Sequence, residues 1–223
     1  MIYSDLVTEI NISPNCYPTR NGNKIERLTI HCFVGQVTAK RGLEVFSNPS
    51  KKASCNYVIG KDGDIGLCVP EEHTSWCSSN SHNDMRSITF ECASNNKEPY
   101  DVTQSCYNAL IKLIVDIMTR YEKDTLVFFD NKKDAENYVV KDNELLLTCH
   151  RFYANKSCPG SYLWRKHTSG ELINDVMNLY HNNKPASKLY CVQLGAFRDK
   201  NNAINLMNEL KSKGYEAIIK ERD

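Results

Sequence analysis

The segment TCHRFYANKSCPG, residues 148–160, sets a histidine, a lysine and a cysteine at His150, Lys156 and Cys158 and closes on Pro-Gly. A histidine and a cysteine so spaced can be a metal clip, a Cys-His nucleophile pair, or two unrelated loop residues. Two other stretches bear on the choice. LTIH finishes at His31, ITFE at Glu91 and LLLTCH at His150, so three apolar runs each end in a residue capable of chemistry. In an α/β sheet, strand ends lie beside one another and ligand sites gather there. Two imidazoles and one thiolate make three zinc ligands and leave a fourth tetrahedral position for water, the pattern of a catalytic ion. Zinc lowers the pKa of its bound water and polarises a carbonyl. In such a set Glu91 can take a proton from the attacking water and pass it to the leaving nitrogen. Lys156 can hydrogen-bond the oxyanion that develops. The chemistry described is metal-assisted amide hydrolysis. Each residue also has a plainer reading: a satisfied strand-end histidine, a buried thiol, a surface carboxylate, a solvated lysine. Spacing alone leaves both open.

The elements that must position these residues are readable in outline. RLTIHCFVG (27–35) and RSITFECAS (86–94) read as strands, as does ELLLTCH (144–150). GLEVFSNPSKKAS starts like a brief helix stopped at Pro49. CNYVIGKDGDIGLCV (55–69) reads as a hairpin, because Asp62-Gly63 suits a tight turn between two apolar runs. The polar stretch 73–84 reads as a loop. Thr103 can cap a helix carrying Tyr107, Leu110, Ile111, Ile114, Val115 and Met118 at helical spacing. A short strand and a charged excursion follow, then a helix over 170–180 and a linker-like HNNKPASK. Strands alternating with helices predict an α/β domain built on a central sheet.

Composition narrows the function classes. The chain has 223 residues, 41% hydrophobic and 25% charged, with a net charge of +1. That is ordinary for a globular domain able to bury its own core, and too weak a field to point to nucleic acid. Ten cysteines are scattered singly with no CxxC pair, which argues against a redox motif or a four-cysteine zinc knuckle. Cys92 and Cys106, set in apolar stretches, read as small core residues. The opening MIYSDLVTEI has neither a basic n-region nor an apolar h-region, and no run reaches the length of a membrane span. The expectation is synthesis in a cytoplasm without a signal peptide.

Taken together, LTIHCFVG, ASCNYVIGKDGDIGLCVPEEHTSWCSS, RSITFECAS and TCHRFYANKSCPG resemble the zinc-dependent N-acetylmuramoyl-L-alanine amidases of the type 2 amidase, or peptidoglycan-recognition-protein, superfamily. The likeness is to the phage endolysin and clostridial autolysin branch and covers about residues 5–180. It implies a central mixed β-sheet flanked by helices. It implies one Zn2+ held at His31, His150 and Cys158, a base at Glu91 and an oxyanion-stabilising Lys156. The implied activity is cleavage of the amide between N-acetylmuramic acid and L-alanine of bacterial peptidoglycan, with action on the cell wall of the bacterial host. Two departures stand out: Cys55 occupies the place of a tyrosine that some relatives use, and Ser161 replaces an acidic residue after the CPG turn. The alternatives are a non-catalytic peptidoglycan-binding protein and a cell-wall peptidase with Cys158 as nucleophile and His150 as base.

The resemblance divides the chain into a catalytic domain over 1–181, a linker over 182–188 and a tail over 189–223. The tail YCVQLGAFRDKNNAINLMNELKSKGYEAII reads as strand, helix, strand. It is similar to the first half of a SPOR domain, a peptidoglycan-binding module. Half a module closes its sheet only by pairing two tails in a homodimer, by docking, or with chain beyond this sequence. On the substrate side, Trp76 offers a surface for sugar or peptide, and Asn56 a hydrogen bond to ligand or to its own turn. His167 and His181 read as surface residues.

Overall fold

Period-two alternation in the strand sequences dictates a sheet with two unlike faces. In RLTIHC and SITFEC the residues Leu28, Ile30, Ile88 and Phe90 alternate with Thr29, His31, Thr89 and Glu91. Such alternation sends one set to an apolar layer and the other to the opposite face. The computed structural model describes residues 1–183 and 192–221 and divides into two compact units, Met1–Asn183 and Lys184–Asp223.

The first unit opens with β1 (Glu9–Ile10), β2 (Cys16–Tyr17), β3 (Arg27–Cys32) and helix α1 (Ala39–Phe46). The hairpin β4 (Tyr57–Ile59) and β5 (Ile65–Leu67) follows, then β6 (Thr74–Ser75), α2 (Ser81–Asp84) and β7 (Ser87–Cys92). The long helix α3 (Gln104–Arg120) leads to β8 (Thr125–Phe128), α4 (Lys132–Asn137) and β9 (Glu144–Cys149). Helices α5 (Gly160–Thr168) and α6 (Glu171–Asn183) close the unit. Seven strands form one mixed sheet in the order β1-β5-β4-β7-β3-β9-β8, and β2 pairs with β6 separately. Strands β4, β7, β3, β9 and β8 run parallel to their neighbours, while β5 turns back antiparallel to β4.

Both faces are covered, which is what a largely parallel sheet requires. The apolar set of the strands packs under α3, whose Leu110, Leu113, Ile114 and Ile117 are fully buried, together with α6 residues Leu172 and Val176. On the opposite face α1 lays Leu43 and Phe46 against Val58, Cys55 and Cys68. Gly42 permits that approach, since a Cβ there would lie 2.5 Å from Val58 Cγ1. The hairpin turn uses Gly63 at φ +88°, and Asp64 Oδ2 reaches out to accept from Ala39 N at 2.6 Å, fixing the start of α1. Thr103 caps α3 by accepting from Cys106 N, and Cys92 and Cys106 are buried as expected.

Three readings need correction. The stretch 73–84 is not all loop: Thr74–Ser75 pairs with Cys16–Tyr17, and Asn80 caps α2. His167 is not on the surface but buried, on the face of α5 that also buries Leu163. The linker-like stretch belongs to α6 as far as Asn183, and the rest of it, from 184 to 188, lies outside the described residues. In the second unit the helix appears as α7 (Lys200–Ser212), capped by Asp199 accepting from Asn201 N. Among its described residues no strand flanks that helix.

Candidate active site

Register brings the separated chemistry together. Strands β3 and β7 are parallel neighbours in which His31 lies opposite Glu91. On the other side of β3, Ile30 lies opposite Cys149, so the chain leaves β9 at His150 level with His31. A 3-10 turn over His150–Phe152 then bends the chain away, and Cys158 returns just before α5 begins at Gly160. All three strands end at the same edge, the carboxyl end, where such sheets collect ligands.

The donor atoms of His31, His150 and Cys158 all lie within 4.8 Å of one another. Cys158 Sγ stands 3.4 Å from His31 Nδ1, close to the roughly 3.5 Å edge of a tetrahedral zinc site with one N and one S ligand. The imidazoles are 5.0 Å apart between centroids, tilted by 57°. Burial, with His150 nearby, lowers the His31 pKa to about 3. Burial and then the charge of Lys156 lower that of His150. Both rings are therefore neutral near pH 7, the state in which imidazole ligates a metal. A hydrogen bond with Cys32 and burial push the Cys158 thiol up, so ligation must displace its proton. The chemistry and spacing of these donors fit a zinc ion.

Glu91 sits beside this cluster with Oε2 buried, and His31 Nε2 is likewise buried; neither has a hydrogen-bond partner among the described residues. Burial, then the nearby Cys32, hold the Glu91 carboxyl well above the usual carboxylate range. Lys156 is exposed and lines a cleft of about 390 Å³ together with His150, Trp76, Tyr17, Lys52 and Ser79. Trp76 stands 5.3 Å from Tyr17 between ring centroids, and its indole Nε1 is buried with no partner among the described residues.

Asn56 is different. It is fully buried, and its amide donates to the carbonyls of Val69 and Pro70 while accepting from Thr89 N. Its hydrogen bonds latch the hairpin to β7 and leave nothing for a ligand. Cys55 is buried against Cys68 and Val69 in the small core under α1. In the first turn of α5, Ser161 N donates to Glu98 Oε2 at 3.1 Å, so a distant carboxylate serves the helix start that has no acidic residue of its own.

Residues not singled out from sequence complete the surroundings. The loop 77–79 is pinned by Asp84, whose carboxylate accepts from Cys77 N, Ser78 N and Ser78 Oγ. That places Ser79 Oγ 3.4 Å from His150 Nε2. One row down the same face, Thr29 Oγ1 lies 2.6 Å from Ser87 Oγ and 2.8 Å from Thr148 Oγ1. Asn83 of α2 donates to Thr29 Oγ1. These hydroxyls are the period-two companions of His31 and Glu91, and they moor α2 to the sheet. Only the alternation of Thr and Ser in the strands signalled them.

A mixed sheet thus carries a His-His-Cys cluster able to hold a metal ion at its carboxyl edge. Residues 21–161 match the Amidase_2 family model, described as N-acetylmuramoyl-L-alanine amidase, and residues 186–223 match the SPOR domain. The chain belongs to the N-acetylmuramoyl-L-alanine amidase family. No curated protein matches it. Among solved structures it is similar to PlyL, with a TM-score of 0.55 at 15% identity over 75% of this chain and 95% of that one. It is similar to the Staphylococcus aureus hydrolase AmiA in complex with its ligand, with a TM-score of 0.55 at 17% identity over 77% and 82%. A selenomethionine AmpD derivative gives 0.52 at 17% identity over 76% and 98%. At such identities the likeness is one of fold. No described helix is long and apolar enough to cross a membrane.

Proposed function

We propose that this chain is a zinc-dependent peptidoglycan hydrolase that cleaves the amide between N-acetylmuramic acid and the L-alanine of the stem peptide, in the manner of an endolysin. The observation that carries this is the convergence of His31, His150 and Cys158 within 4.8 Å, in a chain of the amidase family. A zinc ion on those three donors would supply a Lewis acid for the carbonyl and make water acidic enough to attack near pH 7. The protein's own groups do the rest. Glu91, opposite His31 in the sheet, accepts the proton of the attacking water and returns it to the amide nitrogen as the bond breaks. Lys156, on the wall of the cleft beside His150, donates to the oxygen that gains charge. Trp76 offers its ring to the sugar or peptide. The first unit acts as the catalytic domain, and the SPOR-matching tail as a module for holding the wall.

Mass spectrometry of the products released from purified peptidoglycan tests this. Free stem peptides with an N-terminal L-alanine beside intact glycan are expected, and cleavage at any other bond refutes the assignment. EDTA should abolish the activity. Resistance to EDTA with inactivation by iodoacetamide would make Cys158 a nucleophile instead. A protein that purifies without stoichiometric zinc and cuts nothing would be a binding module.

A further inference from the structure

A second set of donors adjoins the first. His31, Cys77 and Glu91 also present one ligand atom each within 4.8 Å of one another. They come from different elements: His31 from β3, Glu91 from the facing position of β7, and Cys77 from the loop that Asp84 pins by its backbone. The two sets share only His31. Its Nδ1 is the nitrogen facing Cys158 at 3.4 Å, while Nε2 is buried with no partner among the described residues. Glu91 Oε2 is buried and unpartnered in the same way. Two orphaned polar atoms beside a thiol are costly in a protein interior unless something polar or charged meets them. Imidazole, thiolate and carboxylate together suit a borderline-soft divalent cation such as zinc.

We propose that a second divalent cation binds at Cys77, Glu91 and His31 Nε2, and that filling this position inhibits the enzyme. The inference rests on the metal centre proposed above and extends it to the regulation of that centre. A carboxylate engaged with a cation cannot accept a proton from water, so Glu91 is lost as a base while the first ion stays in place. Binding displaces the thiol proton of Cys77, any proton on Glu91, and the last ring proton of His31, all of which pass to solvent. An imidazole that already holds one ion through Nδ1 gives up that proton reluctantly, so the second ion binds more weakly than the first. Zinc then acts as an activator at low concentration and a brake at higher concentration. Cys77 is the residue that makes the brake.

The test is a cobalt titration of the full chain stripped with EDTA, followed through the ultraviolet thiolate-to-cobalt band and by equilibrium dialysis. Two steps are expected, each adding one thiolate's worth of absorbance. Cys158→Ser should leave one increment, that of Cys77, and Cys158→Ser combined with Cys77→Ser should leave none. Cys77→Ser and Cys77→Ala should each remove the second and keep the first. In parallel, hydrolysis of a soluble muropeptide should rise through the first equivalent and fall by about 10²-fold or more through the second, the usual worth of a general base. Wild-type protein that saturates at one equivalent, or a second increment that survives both Cys77 variants, overturns the inference while leaving the first metal site standing. An increment that survives with both cysteines replaced overturns the metal centre itself and this inference with it.

Discussion

His167 offers the sharpest test of the packing because nothing in the proposed reaction uses it. The side chain is 1% exposed, stacks on Phe128 at 4.9 Å, and neither ring nitrogen has a hydrogen-bond partner among the described residues. Phe152 and Trp164 close the same aromatic cluster through Phe128. Burial lowers the His167 pKa from 6.5 to about 4, so between those values the unfolded chain binds a proton that the folded chain refuses. Stability therefore rises with pH through this window, is fully present above pH 6.5, and is lost as pH falls toward 4. At about 1.4 kcal/mol for each tenfold in proton affinity, the whole effect is on the order of 3 kcal/mol. Between pH 7 and pH 5 it amounts to about 2 kcal/mol. His167→Phe keeps an aromatic ring beside Phe128 and removes the titration. Urea unfolding of wild type and variant at pH 7, 6 and 5, with EDTA throughout, should show wild type losing about 2 kcal/mol more than the variant across that range. Parallel losses, within about 0.5 kcal/mol, would mean that the imidazole protonates freely in the folded protein and would refute its burial without a partner.

Other perturbations test other parts of the structure. Glu91→Gln should retain stoichiometric zinc by metal analysis and lose turnover of a soluble muropeptide by about 10²–10⁴-fold; turnover near wild type would clear Glu91 of the base role. Glu71 is fully buried and accepts from both terminal nitrogens of Arg120 at 2.7 Å and from the hydroxyls of Tyr57 and Tyr121. Glu71→Ala strands those donors and should cost about 3–5 kcal/mol in urea unfolding, with little change in turnover per folded molecule. Deleting residues 184–223 should spare muropeptide cleavage and reduce sedimentation with insoluble cell wall. Collapse of small-substrate turnover would show that the tail completes the catalytic fold.

What could be read from sequence followed physical visibility. Strands β3, β7 and β9 were legible because an apolar run that stops at a polar residue is conspicuous, and three such stops pointed at one edge. The hairpin was legible through Asp62-Gly63, and α3 through its period and cap. The missed elements carry no apolar period: β6 is two residues long, and α2 is a single turn held by Asn80 and by buried polar contacts. Asn56 misled because an amide satisfied by backbone carbonyls looks in sequence like one awaiting a ligand. His167 could have been found, since it follows Leu163 by one helical turn, but only had 160–168 been read as a helix. Cys77 and Lys52 were invisible as neighbours of the site, because loop geometry and not periodicity brings them there.

The pairing of His31 with Glu91 across adjacent strands has a consequence for anyone who would transplant this centre. Their separation is an interstrand spacing, set by the backbone ladder, and a slip of one residue would throw one of them through the sheet to its other side. No contiguous peptide lifted from the chain can carry the reaction with it. The smallest portable piece is three strands wide.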